Sequence, residues 1–339
     1  MNKTTTKERN YSLDILRIVA CFLVVLYHSR AANRDHLITS DPISVINNAC
    51  SFLAFVLGRL GVPFFLLLGG YFAFATQINT FSFLRKRLTR ISIPAAFWLL
   101  VSTMLIGGTL NFFHNIWNLT CAGHLWYIYT LIGILFIIPI VNPYIQRATS
   151  KEISLYLGIW VLTLIFNGNY IDMLGTYSLT HSGMCASNIQ MAFISFYGFF
   201  GYYILGFLLR RYTLSNCKIL LLVVLSMIAW AVSTFTLGCN ITGLYGSWFY
   251  LSIPVVLMSS ALFSCFSKVN ICKMGGVISR ISYLTFGTYL VHWLILDYLS
   301  GIVFFKHANV LITATIVFIL SMSLTYLISK LPYHKYIIG

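Results

Sequence analysis

The sequence predicts an all-α, polytopic membrane protein, and three observations carry that expectation. Mean hydropathy is +0.85. Charged side chains make up only 9% of the 339 residues, against roughly 25% in soluble domains. Apolar runs of about 20 residues, enough to cross a hydrocarbon layer, recur between short polar joints. Without water in that layer each run must satisfy its own backbone N–H and C=O groups, and a helix does so.

In chain order the runs fall near 12–29, 48–75, 92–112, 124–145, 153–169, 188–209, 218–237, 244–266, 276–299 and 308–329, so about ten transmembrane helices are expected. The first run holds Asp14, Arg17 and His28 and lacks a small-residue cleavage site, so it reads as a retained helix and not a leader. The second contains Gly58, Gly61, Pro63, Gly69 and Gly70 around the intramembrane Arg59. Those residues permit either close helix packing or broken helix geometry lining a cavity. Four cations in six residues, Arg85, Lys86, Arg87 and Arg90, stand at the inner entrance of the third run. His124, Trp126 and Tyr127 open the fourth, and the ninth puts Tyr289 and His292 on adjacent turns of one face. The remaining runs are apolar stretches bounded by basic joints. No long soluble segment is left over, so residues 1–339 read as a single transmembrane domain with no appended soluble module.

The net charge of +15 is explained by topology and not by nucleic acid. With the N-terminus inside, seventeen of the twenty-two Lys and Arg residues fall on the inner side, while Arg30, Arg34 and Lys306 lie outside and Arg17 and Arg59 lie within the membrane. The positive-inside rule therefore gives N-in and C-in. The eight cysteines show no CxxC pair and no metal-ligand spacing with His, so no metal site is expected. Cys50, Cys121, Cys185 and Cys239 approach the outer surface, where a disulfide is open to them, although buried free thiols are the simpler expectation.

Arg17 and His28 are the most informative pair. Eleven residues separate them, so at about 100° per residue they lie about 20° apart around a helix and about 16–17 Å apart along it. Ionisable groups at two depths on one face suit a site reached from both surfaces. Only seven acidic residues exist, so a carboxylate base inside the membrane is poorly supplied. His28 is the better general base because imidazole titrates near neutral pH. Asp14 stands three residues before Arg17 and can hold its guanidinium. Arg forks in the Arg85–Arg90 run suit phosphate oxygens, and the Trp/Tyr/His cluster at 124–127 suits sugar stacking as well as an interfacial belt.

Taken together, Arg17 and His28 behind Leu13, Asp14 and Leu16, the segment from Pro63 to Tyr71, the Arg/Lys run ending at Pro94, His124 with Trp126, and Tyr289 with His292 resemble the acyltransferase type 3 family over most of the chain. The resemblance implies transfer of an acyl group, most often acetyl from cytoplasmic acetyl-CoA, to a hydroxyl of an envelope glycan across a bacterial inner membrane. O-antigen and enterobacterial common antigen sugars are such acceptors. By that analogy His28 is catalytic and Arg17 helps in the donor path, where it is also the favoured polarising cation. Arg85, Lys86, Arg87, Arg90 and Arg59 would hold coenzyme A, while His124, Trp126, Tyr127, Tyr289 and His292 would meet the acceptor. No permanently bound cofactor is implied. Two departures from relatives stand out: the chain stops at Gly339 without an esterase-like domain, and it reads Tyr127 to Leu131 where some branches place a Glu. A transporter or flippase of glycan or lipid-linked precursors is the alternative, since membrane charges and broken helices serve it equally. A donor-side protein that only passes acetyl groups across the membrane is a third. The outer loops near 30–47 and 170–187, with Asp35 and Asp172, are where an acceptor would be chosen.

Overall fold

The structure, a computed structural model, describes residues 9–32, 42–74, 77–106, 113–114, 119, 121–166, 196–236, 248–269 and 274–339. Among these residues the regular structure is helical throughout. The helices are α1 (Tyr11–Ala32), α2 (Pro42–Gly58), α3 (Gly61–Ala73), α4 (Thr80–Ile106), α5 (Trp126–Arg147, preceded by a 3-10 turn, Gly123–Leu125), α6 (Ser150–Phe166), α7 (Phe196–Arg211), α8 (Asn216–Thr236), α9 (Ile253–Lys268), α10 (Gly275–Ser300), the short α11 (Val303–His307), α12 (Val310–Ile328) and α13 (Lys335–Ile338).

Six of the helical segments described are long and apolar enough to cross a membrane: Tyr11–Arg30, Ile46–Ala73, Thr80–Ile106, Gly123–Arg147, Asn216–Phe235 and Val310–Ile328. This is a narrower count than the ten spans expected from the apolar runs. Within the described residues, helices α6, α7 and α9 have 17, 16 and 16 residues, and α10 reaches 26 but carries Arg280, Asp297 and many hydroxyl side chains. The exposed faces are apolar: on α8, Leu220, Leu221, Val224, Leu225 and Ile228 all point outward. Faces of that kind are tolerable against lipid and not against water, and the chain is a membrane protein.

Local signals set several boundaries. Thr149 and Glu152 form a reciprocal cap at the start of α6, the Thr149 N–H donating to Glu152 Oε2 at 2.7 Å and the Glu152 N–H to Thr149 Oγ1 at 3.3 Å. Asn309 caps α12 by accepting from the Leu311 N–H at 2.9 Å. The cations expected before the third span lie inside α4, because no breaker separates them from it and Pro94 is accommodated within the helix.

The second apolar run is broken. Its axis stops at Gly58 and restarts at Gly61, and both glycines press on α1: a Cβ on Gly58 would meet Tyr27 Cβ at 2.6 Å, and one on Gly61 the Ala20 carbonyl at 2.9 Å. The break therefore seats directly against the C-terminal half of α1. Farther along, α3 packs on α7 through Gly69 and Gly70, which meet Tyr203.

Helices α1 and α10 run parallel. Their contacts advance together, from Tyr11 with Gly275, through Arg17 with Ser282 and Cys21 with the Thr285 carbonyl, to His28 with His292. The one-face relation of Arg17 and His28 is thus met by one neighbouring helix at two heights.

Candidate active site

Three imidazoles meet near the end of α1. His28 comes from the last turns of that helix, His292 from α10, and His124 from the 3-10 turn ahead of α5. The His28 and His292 ring centroids are 5.4 Å apart, and those of His124 and His292 are 4.9 Å apart. Trp293 completes the group, stacked on His124 at 5.5 Å and edge-on to His28 at 5.1 Å. His124 and His292 are buried, while His28 is partly exposed.

Backbone contacts hold this cluster. The Tyr289 hydroxyl donates to the His124 carbonyl, tying α10 to the turn before α5. His292 Nδ1 lies 2.5 Å from the Tyr289 carbonyl. A carbonyl only accepts, so Nδ1 carries the proton and the other nitrogen of the neutral ring presents a bare lone pair. That atom, Nε2, has no hydrogen-bond partner among the described residues, and neither has either ring nitrogen of His124. Buried polar atoms without partners are uncommon, and three of them meet here on two neighbouring imidazoles.

Next to the histidines is a caged cation. Arg59, in the break between α2 and α3, is 9% exposed. Its guanidinium carbon lies 4.4 Å from the centroid of Tyr27, 4.5 Å from Tyr250, 4.7 Å from Phe249 and 5.2 Å from Phe55. Tyr27 is edge-on to His28 at 5.4 Å, so the same ring touches both cation and histidine. Tyr250 is fixed from behind: the Tyr202 hydroxyl donates to its carbonyl at 2.5 Å, and Trp248 Nε1 donates to the Val56 carbonyl at 2.8 Å. The aromatic contacts then close into a ring, from Tyr250 to Trp126 at 5.7 Å, from Trp126 to Tyr127 at 6.2 Å, and from Tyr127 to Tyr289 at 6.0 Å.

A second polar centre lies at the opposite end of α1. The Asp14 carboxylate, buried, receives Arg9 Nε at 2.7 Å, Arg17 at 3.1 Å and the Ser282 hydroxyl at 3.0 Å. Arg17 also donates to Ser282 at 3.1 Å. The carboxylate in turn holds Arg9 in its charged form more firmly than usual. Arg90, on α4, is close enough for its charge to act on Arg17. Arg85, Lys86, Arg87 and Arg90 are all exposed on the first turns of α4.

The structure thus brings together His28, His124, His292, Tyr289, Tyr127, Trp126 and Arg59. It keeps Asp14 and Arg17 apart from them, about 16–21 Å along the α1 axis from His28, and Arg90 of the α4 run lies on the Arg17 side. Five members of the site were not singled out from sequence: Tyr27, Trp293, Phe55, Phe249 and Tyr250. The first two adjoin chosen histidines, whereas Phe55, Phe249 and Tyr250 carry no signal beyond being aromatic. Asp35, Asp172, Cys185 and Cys239 lie outside the described residues. Cys50 and Cys121 are free thiols. Among the described residues no group of His, Cys, Asp and Glu is arranged to hold a metal ion.

No curated protein and no solved structure matches the chain. A sequence model of the acyltransferase type 3 family, described as an acyltransferase domain, matches residues 10–330.

Proposed function

Because the chain belongs to the acyltransferase type 3 family and is a membrane-bound acyltransferase, we propose that it moves acetyl from cytoplasmic acetyl-CoA to a hydroxyl of an envelope glycan, such as O-antigen or enterobacterial common antigen, at a bacterial inner membrane. The observation that carries this reading is the cluster in which the partly exposed His28 meets the buried His124 and His292, whose ring nitrogens include three without a hydrogen-bond partner among the described residues, closed by aromatic side chains. A thioester already has a good leaving group. The protein therefore needs chiefly a base, a polarising cation and alignment.

In this reading His28 takes the proton of the acceptor hydroxyl, or relays the acyl group. It is the one histidine of the three that retains exposure, as a group in contact with an incoming substrate must. Trp126, Tyr127, Tyr289, His124 and His292 shape the acceptor side by stacking and hydrogen bonding. Arg85, Lys86, Arg87 and Arg90 hold the phosphates of coenzyme A at the inner face, with Arg17 and Asp14 on the donor path between them and the centre. The chain crosses the bilayer ten times with both ends inside, which sets donor and acceptor on opposite sides of one site. Family membership weighs against the transport alternative.

The test is mass spectrometry of surface polysaccharide from cells with the protein, without it, and with His28→Ala. An increment of about 42 Da, one acetyl replacing one hydrogen, present only with wild type is the expected result. Retention of the increment in the His28→Ala strain removes His28 from the mechanism. Unchanged glycan mass with lost surface display replaces acyl transfer to glycan by transport.

A further inference from the structure

We propose that Arg59 supplies the positive pole of the acyl-transfer centre, its guanidinium facing the thioester carbonyl oxygen as the acceptor hydroxyl attacks. This rests on the acyl-transfer reading above and assigns the cation that reading requires.

A guanidinium is expelled from apolar surroundings unless it is paired or used. Arg59 is 9% exposed, yet its Nε has no hydrogen-bond partner. No carboxylate pairs with it among the described residues, since the two ion pairs there both belong to Asp14. Aromatic faces attract a cation without neutralising it. A cage of four rings therefore holds the side chain in place and leaves its charge unneutralised beside the histidines. Arg17 is in the opposite condition: Asp14 and Ser282 occupy it, a long way down α1.

Position agrees. The guanidinium carbon is 4.4 Å from the Tyr27 ring and that ring is 5.4 Å from His28, so cation and imidazole are at most about 10 Å apart. A hydroxyl at the imidazole and a thioester carbonyl at the guanidinium, with contacts of about 3 Å at each junction, need no more than that span. The holding elements are rigid: Gly58 and Gly61 lock the break onto α1, and Trp248 pins the segment bearing Phe249 and Tyr250 to α2. A fixed cation in a water-poor site stabilises developing negative charge with little reorganisation.

The step balances without any further reactant. The acceptor oxygen forms a bond to the carbonyl carbon, and the carbonyl π pair moves onto the oxygen facing Arg59. Collapse restores the carbonyl and breaks the C–S bond. The hydroxyl proton passes through His28 to the departing thiolate, leaving an acetyl ester and coenzyme A thiol.

The test uses the full-length chain in lipid nanodiscs with acetyl-CoA and acceptor glycan, comparing wild type, Arg59→Met and Arg59→Lys. Arg59→Met is expected to lower kcat by about 10²–10³-fold while KM for acetyl-CoA stays within about threefold, with Arg59→Lys intermediate. A second readout is the infrared band of a carbon-13 ketone analogue of acetyl-CoA with methylene in place of sulfur. In wild type the carbonyl band falls below its position in solution, and in Arg59→Met it returns toward that position. A KM increase with kcat intact makes Arg59 a donor-binding residue and overturns the proposal. So does a wild-type band at the solution frequency, which decides the matter even if Arg59→Met does not fold. Wild type that never acetylates the glycan defeats the underlying reading, whereas active wild type with an equally active Arg59→Met defeats only this assignment.

Discussion

Substituting Gly70 by Ala tests how the α3–α7 contact positions the site. A Cβ at this position would stand 2.0 Å from the Tyr203 carbonyl oxygen and 2.6 Å from the carbon bearing it. Those are backbone atoms inside α7, so no rotamer change relieves the overlap, and the two helices must separate by about 1 Å. Overpacking of this kind costs about 2–3 kcal/mol, the upper part of the usual range. The same shift reaches the chemistry, because α3 continues from the Arg59 break and carries Phe65, whose ring is 6.3 Å from Tyr127. Misplacement on the scale of 1 Å lowers turnover by roughly 10²-fold. Gly69→Ala is milder, since its nearest neighbour is the Tyr203 hydroxyl at the far end of a side chain. Gly158→Ala is the control: nothing lies within 4 Å of its Cβ, and it gains about 0.5–1 kcal/mol from helix propensity. Thermal unfolding in micelles, read by tryptophan fluorescence, and acyl-transfer rates are measured on all three. Wild-type melting and wild-type turnover in Gly70→Ala would falsify the claim that backbone approach at this position sets the geometry.

Two further outcomes follow from the polar groups at the other end of α1. Asp14→Asn destabilises the fold by about 1–2 kcal/mol, less than loss of a fully buried pair, because the Arg9 and Arg17 side chains are 55% and 32% exposed and partly screened; a double-mutant cycle with Arg17→Gln reads the coupling directly, and zero coupling sinks the network. Arg87→Ala and Arg90→Ala raise KM for acetyl-CoA several-fold each, more steeply at low salt, and leave kcat near wild type; an unchanged KM in both removes the run from donor binding.

Much of the architecture was readable because hydropathy and helical period are local properties. The apolar runs marked where helices form, and a separation of eleven residues put Arg17 and His28 on one face of α1, which packs on α10 at both heights. Tyr289 and His292 shared a turn of α10 for the same reason, and the hydrogen bond between them is internal to that helix. The glycines of the second run announced either a break or close packing, and the structure uses them for both. Even the family rests on motifs that each occupy a few consecutive residues.

Which elements face one another is a different kind of fact. Period assigns a side chain to a face of its own helix and says nothing about what lies across from it. Only packing decided that His28, His124 and His292 converge, that Arg59 is caged by rings from α1, α2 and the segment before α9, and that Phe249 and Tyr250 belong to the site. Packing also separated the two candidate cations. Arg17 and Arg59 look equivalent as intramembrane arginines, yet one is held by a carboxylate within three residues and the other sits among aromatic faces gathered from distant parts of the chain. Charge is written in the sequence, whereas its availability depends on neighbours that the backbone brings together through close approaches such as Gly58 on Tyr27, and those are properties of the folded chain alone.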